Sequence, residues 1–324
     1  MGAEQHPVDA DRTAEILGSS AIIIDNFGID YIRNGKVSTA IRDVSLAIPQ
    51  GEITAFIGNS GCGKTTLLKS MNRLLETNRD YRVQHHGRMD VKIHGQWLDV
   101  YGDRAVELLR MNVGMVFQMP FNLPGDINNN LDHGQNFRAV SKRLRPYNAL
   151  SLLSRVGLLK EIDGAYNPET DGPRQHGPLR TALLDLAAGL NLIKGPKSDA
   201  LTRNPNNMSG GQIQRLALAR ALTAEPEILL LDEPCSQLDP NATTKIEEQL
   251  MEMAGLGMTI IVVTHNLFQA QRIAKNTAYF MNDWTPEGYP LPGRLVEFGP
   301  TEKIFSQDAM PETWNYVKND ILRR

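Results

Sequence analysis

Gly58-Asn59-Ser60-Gly61-Cys62-Gly63-Lys64-Thr65 is the stretch on which the fold turns. Ahead of it, Glu52-Ile53-Thr54-Ala55-Phe56-Ile57 is apolar and β-branched and reads as a buried strand. Behind it, the run from Thr66 to Leu75 sets its apolar residues at helical spacing. Strand, glycine loop and helix in that order turn G-x-x-x-x-G-K-[ST] from a text match into a phosphate cradle. Glycines let the backbone wrap closely around an anion. Unpaired amides at the helix start then point at it, with the positive end of the helix dipole behind them. In such a cradle Lys64 reaches the β and γ phosphates of a nucleotide and the Thr65 hydroxyl ligates Mg²⁺. Thr66 follows at the same helix start and is counted with the cradle. The bland alternative is a glycine-rich turn that binds nothing, and the flanking strand and helix weigh against it.

The bulk properties narrow the setting. The chain has 324 residues, enough for one large domain or two small ones. A hydrophobic content of 41% suits a soluble globular protein. The 34 basic and 37 acidic residues leave a net charge of −3, without the basic excess of a nucleic-acid surface, so no nucleic-acid partner is expected. Two cysteines, Cys62 and Cys235, have no metal-ligand spacing and cannot form a disulfide framework, which fits a reducing cytosol. Both lie beside motifs, and a redox switch at the nucleotide site is the sharper reading; a small buried hydrophobe is the commoner role of a free cysteine. Residues Met1 to Gly18 are polar and acidic, without the basic start and apolar core of a secretory signal. Gly2 invites a myristoylation reading, but His6 stands where Ser or Thr is wanted. No apolar run reaches the length of a membrane span, so work at a membrane would need another chain as anchor.

Along the chain, residues 1–20 read as a lead-in. Ala21 to Phe27 and Val44 to Ile48 read as strands joined through a turn at Asn34-Gly35. A second β group spans Met89 to His94 and Gln96 to Val100. Val113 to Phe117 is a further buried strand ending in Gln118. Helical spacing then dominates, at Ala149 to Leu159 and Leu179 to Leu192, around an exposed Pro- and Gly-rich loop from Asp163 to Gly177. Ile213 to Thr223 is a strong helix opened by Ser209-Gly210-Gly211. Ile228 to Leu231 is an apolar run ending in Asp232-Glu233. Asn241 to Ala254 reads as a helix, Met258 to Val263 as a buried strand ending in Thr264-His265, and Gly293 to Phe298 as a strand before a C-terminal helix. Apolar strands alternating with helices predict an α/β fold with a mainly parallel sheet covered on both faces. The polar residues recur at strand C-termini, where such sheets bind ligands.

Six motifs stand in order: Gly58–Thr65, Gln118, Met208-Ser209-Gly210-Gly211-Gln212, Leu231-Asp232-Glu233-Pro234, Leu238-Asp239-Pro240 and Thr264-His265. Together they resemble an ATP-binding-cassette ATPase over about Ala21 to Ser306. The resemblance implies a P-loop NTPase core, an N-terminal antiparallel β subdomain and a helical subdomain near 121–225, all within an ATPase domain of 21–306, with a C-terminal helix in 307–324. It implies ATP and Mg²⁺. Asp232 would hold the metal through water, joined by Thr65 and Gln118. Glu233 would polarise the attacking water, and His265 would contact the γ phosphate. Ser209, Gly210, Gly211 and Gln212 would close on the ATP of a second copy, with Asp239 crossing the same interface. On its own, Ser-Gly-Gly is more often a helix cap, and a lone His at a strand end an ordinary surface residue. Tyr31 is a candidate for stacking on adenine, with plain packing as its alternative.

Finer marks point further within the family. Cys235 in Asp232-Glu233-Pro234-Cys235-Ser236-Gln237-Leu238-Asp239-Pro240, Asn266 after Thr264-His265, Met71-Asn72-Arg73, Gly114 to Pro120 and Gly293 to Gly299 are similar to the ATPase subunit of bacterial phosphate importers. That implies two integral-membrane permease subunits, an indirect link to a phosphate-binding protein, and a peripheral place on the cytoplasmic face of the inner membrane. Two features depart from it. The stretch from Gln118 to Ser209 is longer by roughly twenty to thirty residues, placed within 147–204. Gly125 to Asn130 also differs from the usual sequence after the glutamine. The same motor serving another anion or polar solute stays open, as does a non-transport regulatory ATPase. A nucleic-acid repair ATPase would need a long coiled coil before Ser209, and sustained heptads are lacking there.

Overall fold

A computed structural model describes residues 18–77, 80–103, 105–163, 198–236, 238–287 and 289–322. The expected helix at 179–192, most of the expected loop at 163–177, nearly all of the lead-in and the greater part of 147–204 lie outside these residues. In chain order the elements are β1 (Ser20–Arg33), β2 (Lys36–Pro49), β3 (Ile53–Gly58), α1 (Lys64–Ser70), β4 (Arg82–Ile93), β5 (Gln96–Asp99), α2 (Ala105–Asn112), β6 (Val113–Val116), α3 (Ile127–Phe137) and α4 (Arg145–Arg155). There follow α5 (Gly210–Leu222), β7 (Ile228–Asp232), α6 (Pro240–Gly255), β8 (Thr259–Val263), α7 (Leu267–Ile273), β9 (Asn276–Met281), β10 (Arg294–Pro300) and α8 (Pro311–Leu322). One-turn helices occupy Leu159–Ile162 and Thr301–Ile304. They fall into two compact units, one within 1–109 and 254–324, the other 110–253.

The first unit is assembled from both ends of the chain. Its antiparallel sheet has the order β2-β1-β4-β5. β1 and β2 are joined at Asn34-Gly35, where both residues take positive φ (52° and 74°), the backbone that a tight hairpin with the strand twist requires. Its second layer runs β10-β9-β3-β8, with β3 parallel to both β8 and β9 and β10 antiparallel to β9. Every residue of β3 and of β8 is buried, which explains why both read as unbroken apolar runs rather than alternating ones. The segment before β10 is clasped to β2: Arg42 donates its amide to Gly293 O at 2.9 Å, and Gly293 donates to Ala40 O at 3.1 Å.

The second unit pairs β6 and β7 in parallel, Val113 opposite Ile228 through Val116 opposite Leu231. Around them stand α3, α4 and α5. Asp126 caps α3 by accepting from the Asn129 amide at 2.8 Å. Arg138, just past α3, donates to Ala224 O at 2.6 Å and to Asn112 Oδ1 at 3.0 Å, stapling the end of that helix to the strand approaches. The single helix expected over 149–159 is instead two. α4 ends at Arg155, Gly157 takes φ 64°, and Leu159–Ile162 forms a separate turn. Gly157 occupies the left-handed position that closes a helix, a stop signal inside otherwise continuous apolar spacing. Among the described residues, no helix is long and apolar enough to cross a membrane.

Candidate active site

The phosphate loop follows the last residue of β3. Gly58 takes φ 141°, and a Cβ there would lie 1.9 Å from Phe280 O on the neighbouring β9. Gly63 takes φ 87°, and a Cβ there would meet Ala40 O at 2.9 Å. Any side chain at either place would push the loop off the sheet, so the glycines are demanded by space as well as by φ. Gly63 is also the N-cap of α1 and supplies no side-chain cap, so that helix start presents backbone amides alone. Lys64 is 4% exposed, and its amine donates to Gly58 O at 2.8 Å and Asn59 O at 2.7 Å. Cys62 Sγ lies 3.4 Å from the same amine, yet burial pushes the Cys62 thiol up from its ordinary pKa, outweighing the nearby charge. The Tyr31 hydroxyl lies 3.1 Å from Thr66 Oγ1, and its ring meets Tyr81 edge-on at 4.6 Å between centroids. Burial also raises the Tyr31 phenol, so it stays a neutral hydrogen-bonding group.

His265 follows β8 in the same unit, exposed at the surface. Its neighbours hold the turn: the Thr264 amide donates to Phe56 O at 3.1 Å, and its hydroxyl donates to Gln269 Oε1 at 2.8 Å while accepting from the Asn266 amide at 3.0 Å. Asn266 in turn caps α7, accepting from the Gln269 amide at 3.2 Å. The backbone carrying His265 is therefore pinned on both sides.

The second unit holds the other group. Asp232 ends β7 at 3% exposure. Glu233 follows with φ 48°, a left-handed backbone that non-glycine residues adopt at a cost. Gln118, just past the parallel neighbour β6, donates Nε2 to Glu233 Oε2 at 2.8 Å. Two residues far apart in sequence thus meet because their strands run side by side in register. Ser209 is exposed and caps α5 in a reciprocal box: its hydroxyl accepts from the Gln212 amide at 3.3 Å, and its own amide donates to Gln212 Oε1 at 3.0 Å. Gly210 is open on its Cβ side, whereas Gly211 packs near Leu238 and Ala242. Asp239 Oδ1 accepts from the Asn241 and Ala242 amides at 3.0 and 3.1 Å, capping α6. Ser209 thus acts as the helix cap that its Ser-Gly-Gly context allows, and the cap at Asp239 was not read from the sequence.

Some contributors were not legible as site residues. Tyr81 lies fifty residues from Tyr31 and emerges only through the β1–β4 pairing. Thr264 and Gln269 form a buried polar pair whose i, i+5 spacing has no motif signature. The donor types suit a magnesium nucleotide: the Thr65 hydroxyl, the Asp232 carboxylate and the Gln118 amide oxygen are hard ligands, and the loop offers amides and an amine to phosphate. Among the described residues no group of three or more His, Cys, Asp and Glu gathers into a metal cluster of its own.

Residues 41–236 match the family profile described as ABC transporter. A phosphate import ATP-binding protein PstB 1 from Synechocystis sp. is 38% identical over 279 residues, 86% of this chain and 87% of that protein. The phosphate import ATP-binding protein PstB of Mycolicibacterium smegmatis is 36% identical over 86% of this chain and 91% of its own length. Among solved structures, the ATP-binding cassette MJ0796, described as a dimer in a post-hydrolysis state with ADP and Pi, aligns with a TM-score of 0.62 at 23% identity, covering 86% of this chain and 98% of that one. CbiO1 of Clostridium perfringens, part of the transporter complex cbiONQ, aligns with a TM-score of 0.60 at 20% identity, covering 94% of this chain and 97% of its own. The last two likenesses carry the fold: a P-loop core with an antiparallel β layer and a helical part.

Proposed function

The chain belongs to the ABC transporter family, and from that membership we propose that it is the ATP-hydrolysing subunit of an importer for inorganic phosphate. Hydrolysis rests above all on the Gln118–Glu233 contact, 2.8 Å between the ends of adjacent strands. A carboxylate with one oxygen held by a neutral amide keeps a fixed orientation. In this reading Glu233 takes or directs the proton of the water that attacks the γ phosphate. Lys64 turns from the Gly58 and Asn59 carbonyls to the phosphates, and the amides of Gly61 to Thr66 line the chain of negative charge. Thr65, Asp232 and Gln118 would hold Mg²⁺, which when bound neutralises charge on the phosphate oxygens. In this proposal Tyr31, whose ring meets Tyr81, contacts the nucleotide base and His265 the γ phosphate.

Ser209, Gly210, Gly211, Gln212 and Asp239 serve a second copy of the chain in this proposal. The exposure of Ser209, Gly210 and Asp239 supports it, since capping uses only the acceptor side of the Ser209 hydroxyl and leaves its hydrogen for an anion. Phosphate as the solute is supported by the names of the relatives, phosphate import ATP-binding proteins; two permease partners, an indirect phosphate-binding protein and a peripheral place at the cytoplasmic membrane face belong to the same proposal.

Glu233→Gln is expected to bind ATP with near-normal affinity while losing about 10²–10⁴ in turnover, measured by phosphate release. Lys64→Ala should weaken nucleotide binding by tenfold or more, read by fluorescent-nucleotide titration. Normal turnover in the first variant, or unchanged affinity in the second, removes the assigned roles. For the solute, a strain deleted for this chain should grow poorly when phosphate is scarce and recover when it is plentiful. Growth defects that track another anion would favour the same motor with a different cargo.

A further inference from the structure

Glu161 lies in the one-turn helix that follows α4, well away from any motif. Its carboxylate receives Arg215 Nη1 at 2.9 Å on one oxygen and Arg215 Nη2 at 2.5 Å on the other. Lys245 Nζ approaches the first oxygen at 3.4 Å. Arg215 stands in α5, six residues on from Ser209, and Lys245 stands in α6, six residues on from Asp239. Each is about 9 Å along its helix from the end that carries the exposed motif. The two N-terminal ends also lie close: a Cβ added at Gly211 would meet Leu238 Cδ2 at 3.3 Å. Two helices close at their starts and tied a turn and a half deeper by one carboxylate have a fixed mutual angle.

We propose that Glu161 is a positioning residue that sets the relative placement of Ser209 and Asp239, so that both reach the second copy together when ATP draws two chains into a pair. The inference rests on the second-copy reading given above. Arg215 is the rigid arm. Its side chain is 4% exposed, and a buried guanidinium has no acceptable alternative to its carboxylate, so α5 follows Glu161 wherever it sits. Lys245 is the adjustable arm. It is half exposed, and a pair of that kind contributes little to stability, so its value lies in placement. Burial works to raise the Glu161 carboxyl, and the Arg215 and Lys245 hydrogen bonds outweigh it and hold the group below its usual range, so the bridge is ionic at neutral pH.

The test uses the full chain in a Glu233→Gln background, where hydrolysis is slow and ATP-driven association can be followed by sedimentation. Adding Glu161→Gln should weaken the ATP-dependent dimer by about tenfold, with single-chain nucleotide affinity unchanged within twofold. Adding Glu161→Asp should restore part of the loss. Adding Lys245→Met, at a half-exposed side chain, should weaken association about threefold at an unchanged melting temperature. If Glu161→Gln loses folding, the Lys245→Met result decides alone. Association at the parental level in Lys245→Met, or losses in Glu161→Gln that affect nucleotide affinity and dimerisation equally, would overturn the positioning role. A parent that does not associate with ATP at all would instead remove the second-copy reading, and this inference with it.

Discussion

Cys62 sits in the middle of the phosphate loop, with an amine 3.4 Å from its sulfur, and yet is inert by construction. Its side chain is fully buried, and burial holds the thiol above its ordinary pKa in spite of Lys64. The thiolate is the reactive form, so a raised pKa and a closed surface both act against oxidation or alkylation. Cys235 is partly exposed beside Glu233-Pro234. Iodoacetamide at pH 8 should therefore modify Cys235 first and reach Cys62 only after denaturation, as read by peptide mass spectrometry. Modification of Cys62 in the native chain at the rate of a free thiol would restore the redox reading. At this scale much was legible. Gln118, Asp232, Glu233 and His265 were each marked by a strand ending in a polar residue. What no pattern could supply was the pairing: that Gln118 donates to Glu233, that Tyr31 meets Tyr81, that Glu161 answers Arg215. Those contacts depend on register between segments distant in the chain.

The strands that sit buried on both faces, β3, β7 and β8, were the easiest elements to read, because burial on two sides leaves no polar interruption. β4 begins seven residues before the expected Met89, since Arg82 to Arg88 are mostly exposed and carry no apolar signal. They are strand because β1 pairs with them. The loop after Gln118 is another element made by contacts rather than pattern. Asn130 is fully buried; its Oδ1 accepts from the Leu123 amide at 2.8 Å, and its Nδ2 donates to Asp126 O at 2.9 Å. Arg220 donates to the same Oδ1 at 3.2 Å and covers the Phe121 ring at 4.9 Å. Asn130→Ala leaves several of these groups unpaired, which should cost about 2–3 kcal/mol. Hydrogen exchange at the Leu123 amide should accelerate more than at amides within α5. Uniform change across the chain would argue that the amide merely fills space.

At the scale of the molecule, one region of the chain is closed by two ends of the sequence, a partition that local patterns do not reveal. The motifs foretold the family because each is local; the grouping of residues 1–109 with 254–324 had to be seen. Pairing of two chains can be separated from folding at Ser209. Aspartate caps a helix about as well as serine, so Ser209→Asp should leave the melting temperature within a few degrees of the parent. It has no hydrogen to offer a phosphate and adds a like charge, so ATP-driven association should fall by at least about tenfold. Sedimentation with and without ATP checks both halves, and a dimer of normal strength would remove Ser209 from the interface. Asp163 and Ser198 bear on the same scale: the Ser198 hydroxyl donates to Asp163 Oδ2 at 2.6 Å, so two residues 35 apart in sequence meet. A segment whose two ends already meet can be exchanged like a cassette. A reporter domain with adjacent termini could be grafted between these two residues without redesigning the core.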